Sequence, residues 1–323
     1  MSSISVCMIV KNEEKNLKEC LGALKNIADE IIVVDTGSSD NTVQIAKELG
    51  TKVYSFTWVD DFAKARNYAL SLASCDYIYS ADADERIDKE NLDKFISLKK
   101  ALGEVEIVQM YYSGQLSDRT VYNYDKELRP KLFKRVRSFT FEGPVHETLR
   151  TDPVVYDSDI EIHHEPSSGH ADRDLKLFEK AVLRKEILSS RLLMMYAREL
   201  MMAGTDENFE NAREYFIQQT LIDGRSVDDI RYLSIIAAHA ARIAGDSEDF
   251  LKFALKEISV EPSSEMCCEL GEFYLAKEDF AESSLWYYNA AYETESILDS
   301  RYGKEIALSG LSICNKKLGK EKQ

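Results

Sequence analysis

Tyr77-Ile78-Tyr79-Ser80-Ala81-Asp82-Ala83-Asp84-Glu85-Arg86 decides how the rest of the chain is read. An aromatic and β-branched run opens it, the pattern of a buried strand. Two carboxylates one residue apart then stand where that strand should end. An Asp-X-Asp at a strand end supplies hard oxygen ligands suited to Mg2+ or Mn2+, and a cation held there can neutralise a diphosphate. The bland alternative is a solvated acidic turn ahead of the next helix, common in acidic proteins. The surrounding pattern chooses between them.

Upstream, strands and helices alternate. Residues 4–10 form an apolar run, Lys11-Asn12-Glu13-Glu14 interrupts it, and Leu17, Cys20, Leu21 and Leu24 then fall on one helical face. Residues 30–34 make a second strand ending in Asp35-Thr36-Gly37-Ser38-Ser39-Asp40, with Asp40 and Asn41 read as the cap of a helix that stops at Gly50. A third strand at 53–56 and a helix at 60–73 lead back to Tyr77. Units of this length predict an α/β fold with a parallel, doubly wound sheet. Ligands of such sheets bind beyond the carboxyl ends of the strands. One cleft can therefore receive Asn12, Glu13, Asp35, Asp82 and Asp84. No Gly-X-Gly-X-X-Gly follows the first strand and no Walker loop occurs, which argues against a dinucleotide oxidoreductase or a nucleoside triphosphatase. An acidic cleft lacking a phosphate-cradling glycine loop would repel a nucleotide unless a cation accompanied it.

Composition narrows the class. The 323 residues allow two domains, and 44% hydrophobic residues suffice for a packed core. A net charge of -16 argues against nucleic acid or an anionic membrane as a partner of the whole surface. The six cysteines form no Cys-X-X-Cys pair and sit mostly in apolar runs, which predicts buried, reduced thiols. No leader-like N-terminus and no membrane-spanning apolar run is read, so a soluble cytoplasmic chain is expected.

Four motifs in order carry a resemblance. Ile4-Ser5-Val6-Cys7-Met8-Ile9-Val10-Lys11-Asn12-Glu13, Ile32-Val33-Val34-Asp35-Thr36-Gly37-Ser38-Ser39-Asp40-Asn41-Thr42, Ala65-Arg66-Asn67 and Ala81-Asp82-Ala83-Asp84-Glu85 together resemble the nucleotide-sugar half of a family 2 glycosyltransferase with the GT-A fold. The resemblance implies a Rossmann-like mixed sheet and a UDP-sugar donor. It puts Asp35 against uracil N3, where a carboxylate accepts from an imide N–H that burial would leave unpaired. It also implies that Val10, Asn12 and Glu13 line the base and ribose pocket, that Asp82 and Ala83 face the donor, and that Asp84 holds Mn2+ or Mg2+ with help from Asp82. Arg66 is placed facing the cleft, where a guanidinium pairs with phosphate. A surface ion pair of Arg66 with Asp60 or Asp61 is the competing reading.

Further along, a helix is predicted over 88–102 and strands over 105–112, 120–124 and 131–136, read as antiparallel additions to the sheet. The basic cluster Arg129-Pro130-Lys131-Leu132-Phe133-Lys134-Arg135-Val136-Arg137 could hold phosphate, but reads better as a solvated strand edge protected by charge. In Phe141-Glu142-Gly143-Pro144-Val145-His146-Glu147, a Gly-Pro turn presents His146 and Glu147 side by side. Inverting transfer needs a base for the acceptor's proton, and Glu147 is assigned that part. Family members that build lipopolysaccharide cores or modify peptides carry a similar Val-His-Glu segment. His146 reads equally as a ligand or as a packed histidine. In Ile160-Glu161-Ile162-His163-His164, period-two alternation sets His164 with Ile160 and Ile162, and Glu161 with His163. By the resemblance, His164 completes the metal site.

Past a hinge at 166–170 strand patterns vanish. Helix pairs around Ala197 to Phe216, 230–258 and Glu269 to Tyr292, with a last helix at 302–318, resemble degenerate tetratricopeptide repeats. The expected organisation is a GT-A nucleotide-sugar domain at 1–168 and an all-α tetratricopeptide-like solenoid at 169–323. The solenoid offers a surface for a polypeptide or glycan acceptor, or for a homodimer. The whole reads as a metal-dependent inverting glycosyltransferase acting on a hydroxyl or thiol. The alternative is an inactive nucleotide-sugar-binding scaffold.

Overall fold

The computed structural model describes residues 2–103, 105–113, 126–135, 141–142, 148–149, 154–164 and 171–319. The strand expected at 120–124, the turn bearing His146 and Glu147, and the hinge at 166–170 lie outside the described residues. The chain divides into two compact units, Met1–His170 and Ala171–Gln323.

In the first unit β1 (Ile4–Val10), β2 (Glu30–Asp35), β3 (Lys52–Ser55) and β4 (Tyr77–Ala81) run parallel, linked by α1 (Leu17–Leu24), α2 (Thr42–Glu48) and α3 (Phe62–Ser71). Next come β5 (Glu85–Arg86), α4 (Lys89–Ala101), β6 (Ile107–Ser113), β7 (Lys126–Lys134), β8 (Phe141–Glu142), β9 (Thr148–Leu149) and β10 (Val155–His164). Eight of these strands form one mixed sheet ordered β3-β2-β1-β4-β7-β6-β10-β5, and β8 pairs only with β9. Both faces are covered, which is why the parallel strands read as unbroken apolar runs. Ile4, Val6, Met8, Tyr79 and Phe95 pack with Leu17 and Leu21 on one side. Cys7, Ile32, Val34, Ile78 and Phe133 pack with Ala69 and Leu70 on the other.

Two expectations are corrected. Only β7 is antiparallel to both neighbours, whereas β6 and β10 run parallel to each other. The basic cluster is no solvated edge, because β7 lies inside the sheet between β4 and β6 and Lys131 is only 5% exposed. Its charge is tolerated there because carboxylates meet it. The cap of α2 also divides differently from the sequence reading. Asp40 accepts from the Thr42 backbone N–H, while the Asn41 side chain donates to Glu14.

The second unit is helical: α5 (Ala171–Leu183), α6 (Ser190–Ala203), α7 (Asp206–Gln219), α8 (Val227–Ile243), α9 (Ser247–Ile258), α10 (Ser264–Ala276), α11 (Phe280–Tyr292), a π-helical turn at Tyr302–Ile306 and α12 (Ala307–Lys317). Ser189, Thr205, Ser226, Asp246, Ser263 and Asp279 each cap the helix that follows by accepting a backbone N–H three residues on. Aromatic pairs fill the spaces between helices, with Phe178 on Tyr196 at 4.8 Å and Phe250 on Phe273 at 4.5 Å. Gly271 and Gly310 lie against the ring of Tyr287, where a Cβ would collide. All six cysteines are free thiols, five of them buried.

Candidate active site

The carboxyl ends of β1, β2 and β4 gather the polar loops. Val10 pairs with Asp35, and Met8 pairs with Ala81, so Asp35 and Asp82 emerge at neighbouring levels of one sheet end. Asp35 is buried and accepts from the backbone N–H groups of Gly37 (3.2 Å) and Ser38 (3.1 Å). Gly37 makes that turn with φ of 107°, open to glycine alone at no cost. Asn12 takes a left-handed conformation, φ 57°, which asparagine tolerates. Its amide oxygen accepts from Ser39 N at 2.8 Å, and its own N–H donates to Ser38 at 2.9 Å. Glu13 N–H donates to Thr42 at 2.7 Å, and the Glu13 carboxylate accepts from Asn16. Asn12 and Glu13 thus lace the first two loops together and set the outline of the pocket around Asp35.

Arg66 on α3 resolves the choice left by its sequence. Its Nη1 and Nη2 both donate to Asp82 Oδ1 at 3.1 Å, and Nη1 donates to Ser80 at 3.0 Å. Asp61 is occupied instead in capping α3 and pairing with Lys64. Beyond Asp82, Ala83 is buried and the chain turns into β5. Lys131 lies between two carboxylates, 2.5 Å from Glu85 Oε1 and 3.8 Å from Asp82 Oδ2. Asp84 Oδ2 meets His164 Nε2 at 3.1 Å, a contact made because β10 pairs with β5 through His164 and Glu85. His163 points the other way, to Ser113, as the period-two alternation of the strand requires.

The charges follow from these contacts. Burial opposes ionisation of Asp82, but Arg66 and Lys131 outweigh it and hold its carboxyl below the usual range. Glu85 is 3% exposed, and burial pushes it up to about 7 against the pull of Lys131, with Asp82 and Asp84 adding repulsion. Burial alone would depress His164, yet its bond to Asp84 raises the imidazole above its ordinary value. The site therefore alternates signs: Arg66, Asp82, Lys131, Glu85, with Asp84 and His164 as a separate couple.

Two members, Ser80 and Glu85, have no role in the sequence analysis, and a third, Lys131, enters it only within the basic cluster. Ser80 is hidden within a strand, and Glu85 looks like part of an acidic turn. Lys131 did carry a signal, since it directly precedes two residues, Leu132 and Phe133, that are buried on opposite faces. A strand with both faces apolar is an interior strand, and a lysine in it needs an internal partner.

Residues 5–149 match the model of glycosyl transferase family 2. Among curated proteins the chain is similar to a TPR repeat-containing protein of Synechococcus elongatus, 36% identical over 149 residues, or 46% of this chain and 36% of that one. It is also similar to the SPbeta prophage-derived glycosyltransferase SunS of Bacillus subtilis (strain 168), 30% identical over 222 residues, covering 64% of this chain and 51% of SunS. The chain thus spans about half, or less, of the length of these curated relatives. Among solved structures, glucosyl-3-phosphoglycerate synthase from Mycobacterium tuberculosis in complex with Mn2+, UDP and glucosyl-3-phosphoglycerate aligns with a TM-score of 0.43 and 15% identity, over 58% of this chain and 82% of that one.

Proposed function

We propose that the chain is a metal-dependent, inverting glycosyltransferase that moves a sugar from a UDP-sugar to a hydroxyl or thiol on a polypeptide or glycan. One observation carries this: in a family 2 domain, Asp35, Asp82 and Asp84 stand at the ends of parallel strands with Arg66, Lys131 and His164 packed against them. A diphosphate is recognised by guanidinium and ammonium groups. Here two such groups are already aligned on a shared carboxylate, so little ordering is needed when phosphate arrives.

The donor set fits a divalent cation shared with the donor. Asp84 and His164 present an oxygen and a nitrogen 3.1 Å apart, and the other imidazole nitrogen is buried without a hydrogen-bond partner. Among the described residues no three His, Cys, Asp or Glu side chains stand close enough to hold a metal alone. The donor's phosphate oxygens would therefore complete the shell, with Asp82 as a further carboxylate nearby. An imidazole with carboxylate oxygens suits Mn2+ more readily than Mg2+. When bound, the cation supplies charge neutralisation of the departing diphosphate.

This chain's residues do the rest. Asp35 accepts from the imide N–H of uracil, and the Asn12–Ser39 lacing keeps the base pocket open. Arg66 and Lys131 hold phosphate oxygens as negative charge grows on the leaving group. Glu147 takes the proton of the acceptor O–H or S–H as that atom bonds to the anomeric carbon and UDP leaves from the opposite face. The helical unit holds the acceptor. Calorimetric titration of UDP with and without Mn2+, on the wild-type chain and on Asp84→Asn, tests the reading. Metal-dependent binding that the variant loses is expected, accompanied by slow hydrolysis of one UDP-sugar. Absence of UDP binding with every divalent metal tried would refute the proposal.

A further inference from the structure

Tyr112 stands near the end of β6, the strand between β7 and β10, and is buried. Its direct partners across the sheet are Glu127 of β7 and Ile162 of β10. Two residues beyond each of these come Arg129 and His164, at the diagonal positions that long and aromatic side chains reach. Both reach the tyrosine ring. The Arg129 guanidinium carbon lies 4.1 Å from the ring centroid, and the His164 ring is 5.3 Å away with its plane tilted by 33°. These are the distances of a cation–π contact and of an aromatic pair. Arg129 is itself paired with Glu127, so β7 fixes the guanidinium in turn.

His164 needs such support. An imidazole that binds a metal ordinarily donates its second ring N–H to a carboxylate, a carbonyl or water, and that bond sets the plane of the ring. His164 turns Nε2 to Asp84 at 3.1 Å, while its Nδ1 is buried with no hydrogen-bond partner among the described residues. The neighbouring His163 does have such a partner, its Nδ1 lying 2.9 Å from the Ser113 hydroxyl. Rotation of an imidazole about its Cβ–Cγ bond has only broad intrinsic minima. With no bond at Nδ1, packing must hold the plane of His164, and the ring packed on it is Tyr112.

We propose that Tyr112, pinned by Arg129, is a positioning residue that takes the place of the missing hydrogen bond, holds His164 Nε2 toward Asp84 and so sets the preference of the site for Mn2+. This rests on the transferase reading, in which Asp84 and His164 share the cation with UDP.

Electron paramagnetic resonance of Mn2+ with the full chain and saturating UDP gives the Mn2+ affinity, and competition by Mg2+ gives the selectivity. Tyr112→Leu should lose about 10–100-fold in Mn2+ affinity, the range for removing a group that orients a metal-binding histidine. Mg2+ affinity should change little, because that ion relies on oxygen ligands. Tyr112→Phe, which keeps the ring, should bind both ions as the wild type does. His164→Ala should lose Mn2+ affinity at least as far, and adding Tyr112→Leu to it should cost nothing more. Tyr112→Met, whose flexible chain fills an irregular gap, replaces the leucine variant if that one does not fold. Unchanged Mn2+ affinity in the leucine or methionine variant, an equal loss for Mn2+ and Mg2+, or additive losses in the double variant would overturn the proposal and leave the transferase reading standing. A wild-type chain that binds no Mn2+ with UDP refutes both.

Discussion

Replacing Lys131 by methionine removes the cation 2.5 Å from Glu85, in a place where lysine is 5% and glutamate 3% exposed. Breaking a buried pair from one side costs about 3–5 kcal/mol, because the remaining charge is uncompensated. That figure holds only while Glu85 is ionised. In the folded protein burial has pushed Glu85 up to about 7 from 4.5, so the native state binds the proton more tightly than the unfolded chain. The stability from that proton is complete below the unfolded value and is lost as pH rises through the folded one. At about 1.4 kcal/mol per pKa unit the span is roughly 3 kcal/mol. Without Lys131 the folded value rises further. At about pH 5 the variant therefore carries a neutral acid and should lose only about 1.5–3 kcal/mol, the worth of a hydrogen bond to a charged group. At about pH 8 the wild type has shed that proton while the variant keeps it, so the loss should grow by about 1.4 kcal/mol, the worth of the one pH unit above the wild-type value of about 7. The assay is urea unfolding in a Trp286→Phe background, which leaves Trp58 as the sole tryptophan and confines the signal to the first unit. Adding Glu85→Gln should bring the loss at high pH down to the low-pH level. Equal losses at both pH values, or no recovery in the double variant, would refute the reasoning.

Two further outcomes concern the helical unit. Glu265 accepts backbone N–H bonds from Ile297, Leu298 and Asp299 at 3.1, 2.7 and 2.8 Å. Glu265→Ala leaves two buried donors and one partly buried donor unpaired and should destabilise this unit by about 3 kcal/mol or more, read by Trp286 fluorescence in a Trp58→Phe background. An unchanged urea midpoint would show that the 297–299 segment is held by other means. Gly310→Ala drives a methyl into the Tyr287 ring and should cost about 1–3 kcal/mol by overpacking, while calorimetry finds UDP affinity unchanged. A loss of UDP affinity larger than the loss of stability would contradict the assignment of that glycine to packing alone.

Much of this protein is legible in its sequence because its elements are set by local periods. The apolar runs at Ile4–Val10 and Glu30–Asp35, the helical faces between them and the Asp-X-Asp after Tyr79 each depend on neighbours within a few residues. The helices beyond residue 170 are readable for the same reason, since six of them begin at a capping Ser, Thr or Asp. Alternation along residues 160–164 likewise separates His164, which meets Asp84, from His163, which meets Ser113. What side chains meet across the sheet depends instead on strand order, which no local period encodes. Arg66 could have paired with Asp61 five residues away, yet the packing of α3 against the sheet brings it to Asp82, sixteen residues on. Lys131 has the sequence surroundings of a surface charge, yet β7 lies between β4 and β6, where a buried ammonium must have carboxylates beside it. The sequence by itself determined the elements and named the carboxylates; the tertiary structure alone decided which cations neutralise them, because ion pairs form between residues that only the assembled sheet makes neighbours.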